Sequence, residues 1–261
     1  MKRGNTMEYA LITGASSGIG AALSLKLAKE GYNLILTGRD TARLDRLRII
    51  IEEVYEVNIL TYKVDLLYED EIEAFVNKLK IINLSITLFV NNAGLGTFGK
   101  FDEMSAEDDL NVIDVNILAS TLLLKRLIPL MPPNSKILQV ASTAGFVPGP
   151  YMAVYYASKA YVISLSLALG EELRYNKIQV SVLCPGTTKT NFQKRSDIKK
   201  SSLANIFVMS PTKVATIAYN GLINNKKIII TGTCNKHIMN IMRIIPCSYK
   251  AKLVAKTQNY K

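Results

Sequence analysis

Tryptophan is absent from the 261 residues, histidine occurs once, and the three cysteines, Cys184, Cys234 and Cys247, stand far apart. A lone His237 leaves a Ser-His-Asp triad or a histidine-built metal centre almost nothing to work with, so no metal is expected. An odd, scattered cysteine set is no disulfide framework and suits a reducing compartment. Apolar residues make up 49% of the chain, yet no run of about 18 uninterrupted apolar residues occurs, so no membrane span is expected. The basic start, Met1 to Thr6, leads into an apolar run that ends at Thr13-Gly14 without a signal-peptide cleavage pattern. The expected location is the cytoplasm.

Acids are missing from one end. Lys189 to Lys261 holds 14 Lys and Arg against Asp197 alone, whereas Met1 to Thr188 holds 18 against 20 acids. The net charge of +11 therefore divides into −2 and +13, which points to an anionic partner for the last third. No nucleic acid is expected, because aromatics are not interleaved with these charges as stacking would need. Between Lys236 and Lys256 large aliphatic residues alternate with Lys and Arg, and Pro246 divides the segment into two short helices. Two readings stand: peripheral contact with an anionic membrane, or packing over a substrate pocket or subunit interface.

What is present is an alternation of strands and helices. Strands are expected at Glu8–Thr13, Asn33–Thr37, Ile59–Val64, Ile86–Asn91, Lys136–Ala141, Ile178–Leu183 and Lys226–Thr231. Helices are expected between them, among them one long helix from Ser105 to Met131 stopped by Pro132-Pro133. Such an alternation predicts an α/β single domain built on a doubly wound parallel sheet of seven strands. Residues Asn191 to Met209 are basic and lack periodicity, and are read as a flap over a site.

The first strand runs into Thr13-Gly14-Ala15-Ser16-Ser17-Gly18-Ile19-Gly20 and then a helix. Three glycines permit a sharp turn, close approach of a ligand and tight packing of helix on strand, and the helix N-terminus favours a pyrophosphate. The second strand ends in Gly38-Arg39. With no carboxylate to repel a 2′-phosphate and a guanidinium able to pair with one, NADP is favoured over NAD. Asp40 reads as a helix cap, and Asp65 as either a helix cap or an acceptor for an adenine amino group. Asn91-Asn92-Ala93-Gly94 ends the fourth strand at the edge where open sheets bind ligands. Asn116 is an amide within an apolar face, either satisfied core or a placed functional group. Tyr155 and Lys159, four apart, share a helix face, so the ammonium is expected to pull the phenol's pKa toward neutrality.

Together, Thr13–Gly20, Asn91–Gly94, Asn116, Ser142, Tyr155 with Lys159, and the Pro-Gly-x-x-x-Thr stretch from Pro185 to Thr190 resemble the short-chain dehydrogenase/reductase family. The resemblance covers essentially the whole chain and implies a Rossmann-type fold and an NADP-dependent oxidoreductase acting on a small-molecule carbonyl or alcohol. It implies a catalytic set of Asn116, Ser142, Tyr155 and Lys159. In that set Tyr155 donates a proton, Ser142 binds the substrate oxygen, Lys159 holds the nicotinamide ribose, and Asn116 keeps a relay water. Cofactor contacts are implied at Gly14, Ser16, Ser17, Gly18, Ile19, Gly20, Arg39, Asp65, Asn91, Ala93, Gly94, Tyr155, Lys159, Pro185, Gly186, Thr188 and Thr190. A homodimer or homotetramer joined through the helices bearing Asn116 and Tyr155 is implied as well. Expected pocket walls are Leu95, Phe98, Phe101, Phe146, Val147, Met152 and Phe192, mostly apolar. They suit a 3-oxoacyl thioester, with a steroid, retinoid or small ketone as alternative substrate and a non-catalytic NADP-binding regulator as alternative function.

Overall fold

Strands covered by helices on both faces read as nearly unbroken apolar runs, and Ala-Leu-Ile, Leu-Ile-Leu and Leu-Phe-Val segments supply them here. A computed structural model of the protein describes residues 8–190 and 208–258. It contains one seven-stranded sheet of order β3-β2-β1-β4-β5-β6-β7, and every neighbouring pair is parallel. The strands are β1 (Glu8–Thr13), β2 (Asn33–Gly38), β3 (Ile59–Lys63), β4 (Ser85–Asn91), β5 (Lys136–Val140), β6 (Gln179–Cys184) and β7 (Ile228–Ile230). The chain order reverses between β1 and β4, and that switch point opens a crevice at the carboxyl ends of the strands.

One face carries α1 (Gly18–Lys29), α2 (Thr41–Glu52) and α7 (Pro211–Ile223), which seat Leu23, Leu27, Leu44, Ile51, Val214 and Leu222 on the sheet. The other carries α3 (Glu69–Ile82), α4 (Ala106–Ile113), α5 (Ser120–Leu127) and α6 (Ala153–Glu172). There Ile72, Phe75, Leu123 and Leu127 pack on Leu11, Phe89 and Ile137. Full burial of each such side chain contributes about 1.5–3 kcal/mol. Two further helices, α8 (Thr233–Ile244) and α9 (Cys247–Thr257), follow β7. Pro246 stands between them as the sequence predicts.

The expected long helix from Ser105 to Met131 is interrupted. Asp114–Ala119 winds as a π-helix and Ile128–Leu130 as a 3₁₀ turn, so the helix ends ahead of Pro132. Pro129 has no N–H to return to the preceding turn, which favours the tighter winding. The expected flap lies mostly outside the described residues. Its end is tethered, for Met209 exchanges backbone hydrogen bonds with Thr187 and Lys189.

Candidate active site

The crevice is a cavity of about 1100 Å³ that runs from Arg39 and Asp65 at one end, past Gly14 and Gly94, to Tyr155, Tyr156 and Gln258 at the other. Its floor is the turn between β1 and α1. Gly14 (φ +64°) and Gly18 (φ +59°) hold left-handed backbone that side chains strain against. Gly20 serves close approach instead, since a Cβ there would lie 2.3 Å from the Gly14 carbonyl oxygen. Gly14, Ser16, Ser17, Gly18 and Ile19 border the cavity, whereas Gly20 packs behind it.

At the β2 end the Arg39 guanidinium is half exposed and lies 3.9 Å from the Asp65 carboxylate. A pair this open and this long is worth little. Asp40 accepts a hydrogen bond from Arg43 N and caps α2, as its position predicts. Asp65 is not a helix cap. It accepts from Leu67 N in an Asx turn, and α3 begins only at Glu69.

Asn91 does not border the cavity. Its side chain turns inward and donates to the Ser120 hydroxyl (2.8 Å) and carbonyl (3.2 Å), so it supports the cavity from behind. The neighbour passed over in the sequence, Asn92, does border the cavity and donates to the carbonyls of Thr13 and Gly14, locking β4 to the glycine turn. Ala93 and Gly94 line the wall as expected.

Tyr155 and Lys159 come together one turn apart on α6, with the Lys159 Nζ 5.8 Å from the Tyr155 ring centre. Nζ donates to the Val140 carbonyl (3.1 Å). A Cβ on Gly94 would fall 3.2 Å from both that Nζ and Asn116 Oδ1, a tight fit that would press on both groups. Ser142 leaves β5, accepts from Ala144 N and donates to the Pro185 carbonyl. Asn116 sits in the π-helix, where its amide donates to Leu95 O and Ser158 Oγ and accepts from Leu95 N. Both its N–H donors are thus engaged within the protein, and the side chain clamps the loop after β4 to α6.

The electrostatics depart from the simple pairing that the spacing suggests. Burial pushes the Tyr155 phenol up to about 12, and a hydrogen bond with Ser142 pulls it back only in part. Burial likewise brings Lys159 down to about 8. Desolvation dominates the shift of both groups. Cys184, beneath them, is pushed up to about 12 by burial, against which the Lys159 charge works.

Pro185, Gly186, Thr188 and Thr190 all border the cavity. Thr188 Oγ1 donates to Gly186 O, and the Thr190 methyl faces Gly18. Of the expected apolar walls, Leu95, Phe98 and Met152 line the cavity. Phe101 is exposed, and Phe146 packs in a side cluster against α6 and β6. Val147 is also away from the lining, and Phe192 lies outside the described residues. The sequence reading missed Tyr156 and Gln258. Gln258, just past α9, donates to the Tyr156 hydroxyl (3.0 Å) across the cavity wall.

Glycine turn, helix N-terminus, guanidinium and the Tyr155 cluster together fit a nicotinamide dinucleotide. A family model described as short chain dehydrogenase matches residues 8–201. An uncharacterised oxidoreductase from Staphylococcus saprophyticus is 34% identical over 185 residues, 70% of this chain and 79% of that protein. A very-long-chain 3-oxoacyl-CoA reductase from Phaeosphaeria nodorum is 35% identical over 178 residues, 66% of this chain but only 52% of the reductase. Among solved structures, a short-chain dehydrogenase from Sphingobium yanoikuyae in complex with NADPH aligns at TM-score 0.78 and 27% identity, covering 92% of this chain and 96% of that one. A short chain dehydrogenase/reductase from Burkholderia phymatum in complex with NAD aligns at 0.81 and 25%, covering 90% and 92%. The chain belongs to the short-chain dehydrogenase/reductase family.

Proposed function

We propose that this chain is an NADP(H)-dependent oxidoreductase interconverting a carbonyl and an alcohol on an apolar substrate, with a 3-oxoacyl thioester as the leading substrate class. The observation that carries this reading is the convergence of Tyr155, Ser142 and Lys159 on one end of a cavity whose other end holds Arg39. The bound nicotinamide supplies or accepts the hydride. Arg39 pairs with the 2′-phosphate, and Gly38 leaves that phosphate unopposed. Ser142 orients the substrate oxygen, to which Tyr155 gives its proton in the reductive direction. Lys159, buried against Val140 O, positions the ribose, while Asn116 holds the loop that carries Leu95. Leu95, Phe98, Met104, Val112 and Met152 provide an apolar wall for an acyl chain. The name of the fungal reductase supports the thioester, and the NADPH-bound relative supports the cofactor.

The test is a panel of 3-oxoacyl thioesters, steroid ketones and small ketones, followed by loss of NADPH or NADH absorbance. Faster turnover of the thioester with NADPH is expected. Replacing Gly38→Asp with Arg39→Ala should then swing preference toward NADH, because one charge-assisted contact is worth roughly 1.5–3 kcal/mol. A Cβ on Gly38 would stand 3.4 Å from Ser16 Oγ, so the site admits the substitution. Equal use of NADH and NADPH by the unaltered protein would defeat the cofactor assignment, and no turnover of any carbonyl would favour the regulator.

A further inference from the structure

We infer that the outer face of the α8–α9 pair docks on an anionic lipid surface. The two helices have distinct sides. Inward, Asn235 donates to Thr231 O and packs on Gly186, Met239 and Met242 are half-buried, and Gln258 meets Tyr156. The C-terminal segment is therefore part of the fold, and its inner contacts leave the other side open. On α8, Ile238, Ile241 (57% exposed) and Ile244 (84%) follow one another at helical spacing. On α9, Tyr249 (65%) and Leu253 share a face with Lys252 and Lys256, all exposed. Lys236 is exposed as well, and the chain has no Asp or Glu after Asp197.

Charge and length choose the occupant. A second copy of this chain seated on the same patch would bring two acid-free, lysine-rich faces together and be repelled. A bilayer of anionic lipid offers what both components of the patch need, phosphate for the lysines and an acyl boundary for the isoleucines and tyrosine. At 12 and 11 residues the helices are too short to span a bilayer, which takes about 20 residues. They lie along its surface instead. This docking does not depend on the proposed activity.

The test is sedimentation of the full chain with vesicles of phosphatidylglycerol and phosphatidylcholine, and with phosphatidylcholine alone. Pelleting with the anionic vesicles, reduced by salt, is expected. Each lysine near such a surface is worth roughly fivefold in binding, so Lys252→Glu with Lys256→Glu should weaken it by at least about twentyfold. Ile241→Glu with Ile244→Glu should do the same by removing the inserted side chains. Both pairs are exposed, and circular dichroism checks that the fold is kept. The inference is overturned if the unaltered protein stays in solution with anionic vesicles at low salt, or if neither pair of changes weakens binding. It is overturned too if light scattering shows the isoleucine pair dissolving a self-association in a protein that binds no vesicles.

Discussion

At the scale of single residues, the site turns on two buried groups, Tyr155 and Lys159, that both hold a proton at neutral pH. Burial keeps the Tyr155 phenol protonated through the neutral range and makes the Lys159 ammonium unusually ready to lose its proton. In the proposed reaction Tyr155 would then be a proton donor always loaded, whose acidity must come from whatever binds beside it. Tyr155→Phe keeps the ring and deletes the acid. Turnover should fall about 10²- to 10⁴-fold with NADPH affinity nearly unchanged, and retention of more than half the activity would sink the assignment. Lys159 makes a separate, thermodynamic prediction. Its folded pKa, about 8, lies below its ordinary 10.5. Between those values the unfolded chain holds a proton that the folded chain has released, so stability rises with pH across that window. Below pH 8 the folded protein carries the full cost of a buried charge. Lys159→Met removes that cost but leaves the Val140 carbonyl without its donor. The variant's stability relative to the unaltered protein, from urea midpoints at pH 7 and pH 9.5, should therefore be greatest at pH 7 and decline toward pH 9.5. Parallel curves would show that burial does not govern this group.

Elements differ in how far they can be read in advance. The β1–α1 turn, the Gly38-Arg39 end of β2 and the Tyr155/Lys159 face of α6 are legible because each rests on local geometry: a positive φ, a strand end, a spacing of four. The π-helix at Asn116 is not legible, since apolar residues on both flanks hide the change of winding. Phe101 and Phe146 mislead for a different reason: an aromatic in a loop carries no record of which side it turns. Tyr156 is the instructive miss. One step along a helix rotates a side chain by about 100°, which suggests a face unrelated to that of Tyr155. The cavity, however, wraps the start of α6 and meets both rings, which sit edge to face at 6.0 Å. The partner of Tyr156 arrives from 102 residues downstream, a contact that no local pattern announces. Tyr156→Phe is thus not a silent change. It and Gln258→Ala each remove the same hydrogen bond, which should contribute about 0.5–1.5 kcal/mol. Each should raise KM more than it lowers kcat, and the double variant should be little worse than either single one. Additive losses would mean that the two side chains act independently.

The whole molecule presents two unlike surfaces. One is the basic, apolar face of α8 and α9. The other is formed where α4, the π-helix and α6 lie side by side, with Thr121 and Tyr161 sharing a hydrogen bond (2.8 Å) between α5 and α6. Leu110, Leu118 and Leu167 are exposed on these helices, although each is large and apolar. The helices that form this second surface lack the one-signed charge of the first, for they carry Glu107 and Asp114 as well as Lys125. Mixed charges around apolar residues allow two identical faces to meet about a twofold axis without net repulsion. A stable interface needs on the order of 800 Å² from each partner, and two helices of this length lying side by side can supply it. The expected assembly is therefore a homodimer or a homotetramer that contains this dimer. Light scattering should report a mass at least twice that of one chain, 28.9 kDa. Leu118→Glu with Leu167→Glu, both on the helix surface, should return it to that of one chain without loss of helix content. Ile241→Glu with Ile244→Glu on α8 should leave the mass unchanged. If the leucine pair leaves the assembly intact while the isoleucine pair breaks it, the two surfaces have been assigned the wrong way round.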